Sequence, residues 1–448
     1  MSFLFFEHVL VVLGVLAVAV SVMMALQRSR SPQSSAAWIL FIILLPYVAV
    51  PLFIALGFRK ERRRHALPFG SGTTGPMRPG PAPVFTALGC PAPAGGNRID
   101  FHDTPQEAAA ALQALLASAR SRVDVLLYIV ARDDSGRAFI HRLTELARSG
   151  VEVRLMLDWL GSLHRPRAEL AALRAAGGEV HYFSPFPALV DRGRLNLRNH
   201  RKLVMIDGRL AWAGGRNVGD EYLASPPGAW RDLSFTVEGP ILKQLVTLFR
   251  ADWAVTRCDP GDLQATDTAA GGAELQLVPA GPDDPDDRLH DGLVAAIHRA
   301  DRRVWIVTPY FVPSEPLSGA LCTASRRGVD VRVVIPRRSN QWTADLARGA
   351  YLRDASGAGV RILCQPQGML HAKCLLIDDL ALTGSANFDI RSMLLNFEMM
   401  VACHDPATVA ALETRIEALA AGCDEGLPVS GRLRRLAEGV MRLGAPIL

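Results

Sequence analysis

One polar signature occurs twice in this chain, and nothing else in the sequence constrains the fold as much. NHRKLVMIDGRLAWAGGRN begins at Asn199, and LHAKCLLIDDLALTGSAN begins at Leu370. Two earlier pairs of segments recur in the same order. RVDVLLYIV at Arg122 answers RVWIVTPYF at Arg303, and GVEVRLMLD at Gly150 answers GVDVRVVIP at Gly328. Three blocks in one order indicate an internal duplication. Any two α/β segments share apolar runs, but the third block also repeats polar residues at fixed spacing. The apolar runs are strand-like and alternate with helical stretches such as Pro105 to Ala119. That alternation predicts an α/β fold with largely covered sheets. The expected soluble part is two similar α/β halves, about residues 99–260 and 270–425, related by a pseudo-two-fold axis.

Two uncharged apolar runs come first, Val9 to Leu26 and Ala36 to Gly57, of 18 and 22 residues. Each is long enough to cross a bilayer as a helix. The first lacks the basic start of a signal peptide, and no clear cleavage site follows it. Residues 1–58 are therefore expected to be a two-helix membrane anchor. Arg28 and Arg30 lie between the runs, whereas Arg59, Lys60, Arg62, Arg63 and Arg64 follow the second. The richer side should be cytoplasmic. This gives a multi-pass protein of the cell inner membrane whose catalytic part faces the cytosol. Residues 59–98, basic and then rich in Pro and Gly, read as a linker. Residues 426–448 read as an amphipathic C-terminal helix, with Leu433, Leu436, Val440 and Leu443 in a stripe among Arg432, Arg434, Arg435 and Arg442. Such a stripe suits packing on the domain and lying on a bilayer equally. Seven scattered cysteines with no Cys-x-x-Cys give neither a disulfide framework nor a zinc pattern. A net charge of +5 is too small by itself to indicate nucleic acid.

Within the repeated block the chemistry-bearing residues are His200, Lys202 and Asp207, then Gly214, Gly215 and Asn217. The second copy has His371, Lys373, Asp378, Gly384, Ser385 and Asn387. Only four of the 49 basic residues are lysines, and two of them fall here. A compact ammonium does work that a planar guanidinium does not. Alternation along a strand puts His200 and Lys202 on one face and Asp207 on the other. Asp207 and Asp378 are thus expected to be structural. An imidazole can attack phosphorus and carry the transferred group covalently. A lysine two residues on supplies a fixed cation for phosphate oxygens. The asparagines supply amide donors from a returning strand, where Gly215 and Ser385 allow close backbone approach. One such half can only bind a phosphate. Two facing halves place histidines on opposite sides of one phosphorus, one to attack and one to protonate the leaving alcohol. No metal or other cofactor is expected, since lysines and asparagines surround the charge.

These blocks resemble the paired motifs of the phospholipase D superfamily. NHRKLVMIDGRLAWAGGRNVGDEYL, WRDLSFTVEGP and FRADW resemble the first half of bacterial cardiolipin synthases. VTPYFVP, RRGVDVRVVIP and HAKCLLIDDLALTGSANFDIRSMLLNFE resemble the second half, and SPQSSAAWILFIILLPYVAVPLFIALG resembles the family's second membrane helix. The resemblance covers nearly the whole chain apart from the linker. It implies two phospholipase D-like halves behind two transmembrane helices, with His200 as nucleophile and His371 as general acid/base. It also implies that Asp232 and Glu398 orient the histidines. The implied reaction is phosphatidyl transfer between two phosphatidylglycerol molecules, giving cardiolipin and glycerol. Asn340 stands where an aspartate is expected, and Gln365 to Gln367 replace a more aromatic stretch. These departures leave the acceptor alcohol open.

Arg192, Arg194, Arg198 and Arg201 crowd the approach to His200. They read either as a solvated face or as an attraction for anionic headgroups. The expected partners are the phospholipid bilayer and phosphatidylglycerol rather than nucleic acid, and a homo-oligomer is compatible with the sequence. The rival readings are a phospholipase D hydrolase, a membrane-tethered nuclease of the same superfamily, and a catalytically silent scaffold. Two complete motifs disfavour the scaffold, and the apolar segments disfavour the nuclease. Sequence does not separate transfer from hydrolysis.

Overall fold

The computed structural model describes residues 2–27, 32–57, 80–184, 196–224, 229–256, 258, 261, 264–284, 286–427 and 431–443. The first half is built on β1 (Ala94–His102), β2 (Arg122–Leu127), β3 (Glu152–Asp158), β4 (Glu179–Phe183), β5 (Leu203–Ile206), β6 (Leu210–Gly214) and β7 (Ser234–Glu238). The second is built on β8 (Ala273–Ala280), β9 (Arg303–Val307), β10 (Phe311–Val312), β11 (Asp330–Pro336), β12 (Arg361–Gln365), β13 (Cys374–Ile377), β14 (Leu380–Gly384), β15 (Phe388–Asp389), β16 (Glu398–Cys403) and β17 (Asp424–Glu425). Apart from the small β10–β15 ladder, all of these join one sheet of 15 strands.

The order of that sheet is a palindrome about the antiparallel β1–β8 pair. Outward on one side run β1, β7, β6, β5, β2, β3 and β4; outward on the other run β8, β16, β14, β13, β9, β11 and β12. The duplication read from the sequence is therefore visible as strand order. The outer strands β2–β3–β4 and β9–β11–β12 are parallel. Their residues are almost all buried, as expected where helices cover both faces of a parallel sheet.

Three cores follow from this arrangement. One lies within each half, under the helices on its outer face. The third is shared: Leu203, Met205 and Phe235 of the first half pack with Trp305, Leu376 and Val401 of the second, beneath the helices Leu242–Trp253 and Pro406–Ala420. A single apolar body thus fixes the two halves against each other.

The expected linker of residues 59–98 needs correction at its C-terminal end. Residues 58–79 lie outside the described residues, but β1 begins at Ala94, and Val84, Phe85 and Cys90 are buried. Phe85 and Cys90 belong to the second-half core. A Cβ on Gly292 would come within 2.3 Å of the Phe85 ring, so that glycine makes room for it. Proline-rich composition hid two large apolar residues that the core could bury.

The N-terminal segment forms α1 (Ser2–Gln27), α2 (Pro32–Leu44) and α3 (Pro46–Leu56). The run expected as one span over 36–57 is thus broken at Leu45, because Pro46 carries no N–H to continue the ladder. The side chains of residues 2–10, 12, 27, 32, 33, 55 and 56 lie outside the described residues, and among those described no helix is long and apolar enough to cross a membrane. Ala25, Trp38, Ile42, Ala49 and Phe53 form a small cluster joining the three helices. The arginines at 28, 30 and 59–64, on which the expected orientation rests, lie outside the described residues.

Arg201 ties the halves together from a fully buried position. Its Nη1 donates to Asp252 at 2.5 Å, its Nη2 to the Ala280 carbonyl at 3.0 Å, and its Nε to the Glu398 carbonyl at 3.0 Å. Truncating one member of a buried pair strands the other charge, at about 3–5 kcal/mol. Arg201→Ala should therefore lower stability to denaturant by that order, and the added change Asp252→Ala should recover part of it. Additive losses in the double variant would show that the pair is not coupled.

Candidate active site

Neither catalytic-motif histidine lies on a regular strand. His200 and Lys202 precede β5, and His371 and Lys373 precede β13. Each of these short extended stretches is stitched to the opposite half. The His200 N–H donates to the Phe397 carbonyl at 2.9 Å, and the Phe397 N–H donates to the Arg198 carbonyl at 2.8 Å. The second copy does the same: His371 N–H to the Arg231 carbonyl at 2.7 Å, and Arg231 N–H to the Met369 carbonyl at 2.8 Å.

This exchange sets the side-chain partners. One residue past Phe397 is Glu398, whose two carboxylate oxygens lie 2.9 and 3.0 Å from His200 Nδ1. One residue past Arg231 is Asp232, whose Oδ2 lies 2.6 Å from His371 Nδ1. Each histidine is held by a carboxylate from the other half. With Nδ1 engaged, Nε2 is the nitrogen of each ring left for chemistry.

The supporting residues differ between the copies. Ser385 Oγ donates to Glu398 Oε2 at 2.5 Å and accepts from the Met399 N–H at 3.0 Å. Gly215 holds the corresponding place in the first copy, and a Cβ there would lie 2.2 Å from Asp232 Oδ1. Gly215 is thus required by the close approach of that carboxylate. Asp207 and Asp378 sit at left-handed turns, with φ of 52° and 50°. Asp207 accepts from the N–H groups of Arg120, Ser121 and Arg122 at 2.7–2.9 Å. Asp378 accepts from those of Asp301, Arg302 and Arg303 at 2.9–3.0 Å. Both aspartates fasten a strand start and stay outside the site.

His200 and His371 open on one cavity of about 460 Å³, together with Asn217 and Asn387. Asn217 Nδ2 donates to the Tyr222 hydroxyl at 3.1 Å, and Asn387 Oδ1 is buried without a partner. Lys202 and Lys373 are fully enclosed and do not line the cavity. Lys202 Nζ donates to the His200 carbonyl at 2.6 Å. Lys373 Nζ donates to the His371 carbonyl and lies 2.8 Å from His371 Nδ1. The lysines therefore sit one layer beneath the rings.

Of the candidate arginines, Arg194 lies outside the described residues, as does Arg192. Arg198 lines the cavity and donates to Asp158 at 3.3 Å. Arg201 is fully enclosed and does not line the cavity that His200 and His371 share, so its expected contact with substrate is not what the structure shows. Several lining residues went unread in the sequence: Asp389, Arg391, and the ring-bearing Tyr128, Tyr222, Trp230 and Tyr310. Tyr128 and Tyr310 each fall near the end of the first repeated block, which was the available signal. Tyr128 meets the His200 ring edge-on at 4.8 Å, and Trp230 meets His371 at 5.0 Å. Asn340, the noted departure, accepts from the Tyr310 hydroxyl at 2.5 Å.

Burial pushes His200 down to about 4 against the pull of Glu398. Burial and then the Lys373 ammonium push His371 down to about 3 against the pull of Asp232. Burial also brings Lys373 down to about 8 and Lys202 well below the ordinary lysine range. Burial alone would raise the two carboxylates. Lys373 and His371 nevertheless hold Asp232 low, and His200 and Lys202 hold Glu398 low. The free site thus pairs neutral imidazoles with ionised carboxylates.

Among the described residues, Glu179, His181 and Cys258 form a group with metal-ligand donors within 4.8 Å of one another. It lies on edge strand β4, not in the cavity, and Arg154 already faces Glu179 at 4.0 Å.

A family model described as cardiolipin synthase, PLD-like domain, matches residues 112–253 and 293–420. Cardiolipin synthase A of Pseudomonas aeruginosa is 37% identical over 360 residues, which cover 79% of this chain and 74% of that protein. The Pseudomonas putida protein of the same name is 32% identical over 99% of this chain and 98% of its own. Among solved structures, phosphatidylserine synthase of Haemophilus influenzae superposes with a TM-score of 0.61 over 80% of this chain and 96% of its own, at 14% identity. That likeness speaks for the fold. The chain belongs to the cardiolipin synthase family of the phospholipase D superfamily.

Glu398→Gln and Asp232→Asn keep side-chain shape but remove the charge that fixes each Nδ1–H. Each should lower turnover by roughly 10²–10⁴ without changing the far-ultraviolet circular dichroism. The profile of kcat/KM against pH reports the free enzyme. Both histidines stay neutral between pH 5 and 7, so no acid limb should occur there. Because His371 must gain a proton before it can act as an acid, kcat/KM should decline as pH rises across that range, and more steeply as Lys373 loses its proton through about 8. An acid limb centred at about 6.5 would mean the histidines titrate as exposed groups.

Proposed function

We propose that this chain is a cardiolipin synthase, a phosphatidyltransferase that joins two phosphatidylglycerol molecules through a histidine-bound intermediate. The observation that carries the reading is the facing pair of imidazoles, each with Nδ1 on a carboxylate of the other half and Nε2 toward one cavity.

His200 Nε2 attacks the phosphorus of the first lipid. The bond from phosphorus to the glycerol oxygen breaks, and that oxygen takes a proton from His371 Nε2. The second lipid then offers its headgroup hydroxyl. His371 removes the proton, the oxygen attacks phosphorus, and the phosphorus–nitrogen bond to His200 breaks. An arriving phosphodiester anion favours the protonated form of the bases around it, so on substrate binding His371 takes up at Nε2 a proton from solvent, and that proton leaves with the glycerol oxygen. Lys202 and Lys373 contribute positive potential from beneath the rings, and Asn217 and Asn387 contribute amide groups at the cavity wall. Arg198 is the candidate contact for the lipid headgroup. The assignment of attack to His200 follows the family resemblance. Residues 1–57 hold the enzyme at the inner membrane, with the catalytic halves toward the cytosol. Supporting this, Val11, Leu13, Val15, Leu16, Leu40, Ile43 and Leu44 are all more than half exposed, an apolar surface that water does not favour.

Purified protein given phosphatidylglycerol alone should release glycerol and cardiolipin in equal amounts, and chelation by EDTA should leave the rate unchanged. Phosphatidic acid in place of cardiolipin would identify a hydrolase. His200→Ala should lower turnover by at least about 10³-fold and abolish any adduct found by mass spectrometry of the quenched enzyme. With a donor whose leaving group is better than glycerol, His371→Ala should still load His200. An adduct on His371 in the wild type would reverse the two roles.

A further inference from the structure

The C-terminal helix Arg432–Leu443 is docked on the second half by its charged face. Glu438 is 1% exposed, and its carboxylate meets both Arg353 and Arg434. It lies against Gly349, where any Cβ would come within 2.3 Å of it. Arg442 donates to Asp354 at 2.7 Å and lies over the Tyr351 ring at 4.6 Å. Among the described side chains of this helix, Met441 alone packs against the apolar core of the second half.

The apolar stripe consequently points away from the protein. Leu433, Leu436 and Val440 are 85%, 67% and 60% exposed. Ordinary amphipathic packing puts such a stripe inward; here its three described members face outward, and the side chain of Leu443 lies outside the described residues. The pairings run in step, Glu438 with Gly349 and Arg353, then Arg442 with Asp354. The helix therefore lies parallel to Trp342–Gly357, and its arginine-rich beginning sits toward the Trp342 end. Trp342 is 71% exposed, and its neighbours Gln341, Thr343 and Ala344 line the catalytic cavity.

We propose that this outward face, Trp342 with Leu433, Leu436 and Val440, rests in the headgroup layer of an anionic bilayer and holds the mouth of the catalytic cavity against the lipid surface. Charge selects the occupant. Arg432, Arg434 and Arg435 are exposed on the same helix, and cations beside an apolar stripe suit an interface of anionic lipid. Tryptophan is the side chain best suited to that depth. The proposal rests on the phosphatidyl-transfer reading for its purpose, since a lipid substrate must leave its layer to reach buried histidines.

The test uses the full chain reconstituted in vesicles. The Trp342 signal is isolated as the difference between wild type and Trp342→Phe. It should be quenched by lipids spin-labelled near the headgroup in phosphatidylglycerol-containing vesicles, and spared in phosphatidylcholine vesicles. The triple change Leu433→Ser, Leu436→Ser, Val440→Ser touches only exposed side chains. It should lower turnover of vesicle phosphatidylglycerol by roughly tenfold and leave turnover of monomeric short-chain phosphatidylglycerol unchanged. Equal loss on both substrates, or no loss on vesicles, overturns the proposal. So does a wild type that dimerises in detergent through this face, with the triple variant monomeric and unimpaired on vesicles. Absence of cardiolipin from either substrate in the wild type would instead refute the activity reading, and the quenching arm would still decide the docking.

Discussion

Everything in the site depends on a reciprocal exchange of backbone hydrogen bonds between the halves. His200 is positioned by the strand that carries Glu398, and His371 by the strand that carries Asp232. Four such bonds contribute only modestly to stability, at about 1 kcal/mol each. Their importance is geometric, because they set ring against carboxylate to within a few tenths of an ångström. The shared apolar core and the buried Arg201, which donates to the Ala280 and Glu398 carbonyls of the second half, keep that register from sliding. A displacement of one half by about 1 Å would misplace both imidazoles at once, which is the kind of error that costs rate steeply.

Burial does the electrostatic work. In a water-excluded site the imidazoles are neutral and the lysines are poor holders of protons, so the free enzyme is under strain for positive charge. A phosphodiester anion relieves that strain, and its arrival can itself assemble the charged state used in the reaction. The carboxylates behind the rings ensure that any proton gained sits on an imidazole with a defined tautomer. Lys373, close to His371 Nδ1, makes this balance different in the two halves.

Much of this was legible in the sequence because the duplication repeats polar residues, and polar spacing survives where apolar likeness is ambiguous. The two halves and the facing histidines followed from the repeated spacing; strand parity set Asp207 apart, but on a premise the chain does not meet, since His200 and Lys202 precede β5, Asp207 sits at the turn after it, and Lys202 lies beneath the cavity wall. Asp232 and Glu398 came from resemblance alone, since nothing in WRD or NFE says that each carboxylate serves the other half. Asp389 and Arg391 went unread because one ends the two-residue strand β15 and the other sits on the five-residue helix that it caps, where no periodicity marks them. Arg201 was misjudged because charge suggested solvent, whereas its fork satisfies three acceptors inside the core. Phe85 was missed inside a proline-rich segment for the converse reason.

The copies have diverged where catalysis needs two different groups. In the second copy a longer carboxylate, Glu398, is steadied by the Ser385 hydroxyl; in the first a shorter one, Asp232, fits because position 215 has no side chain. The walls differ too. Tyr128, Arg198 and Arg391 gather on the His200 side, with Arg391 donating to Asn196 at 2.6 Å, whereas Tyr222 and Trp230 flank His371. A symmetric site would give two histidines of equal basicity in equal surroundings, told apart only by the orientation of the bound phosphodiester. Duplication supplies the opposed geometry, and these few substitutions make the opposed groups unequal. Arginines beside Tyr128 on one side and the paired rings of Tyr222 and Trp230 on the other leave the two imidazoles in unlike electrostatic surroundings before any substrate arrives.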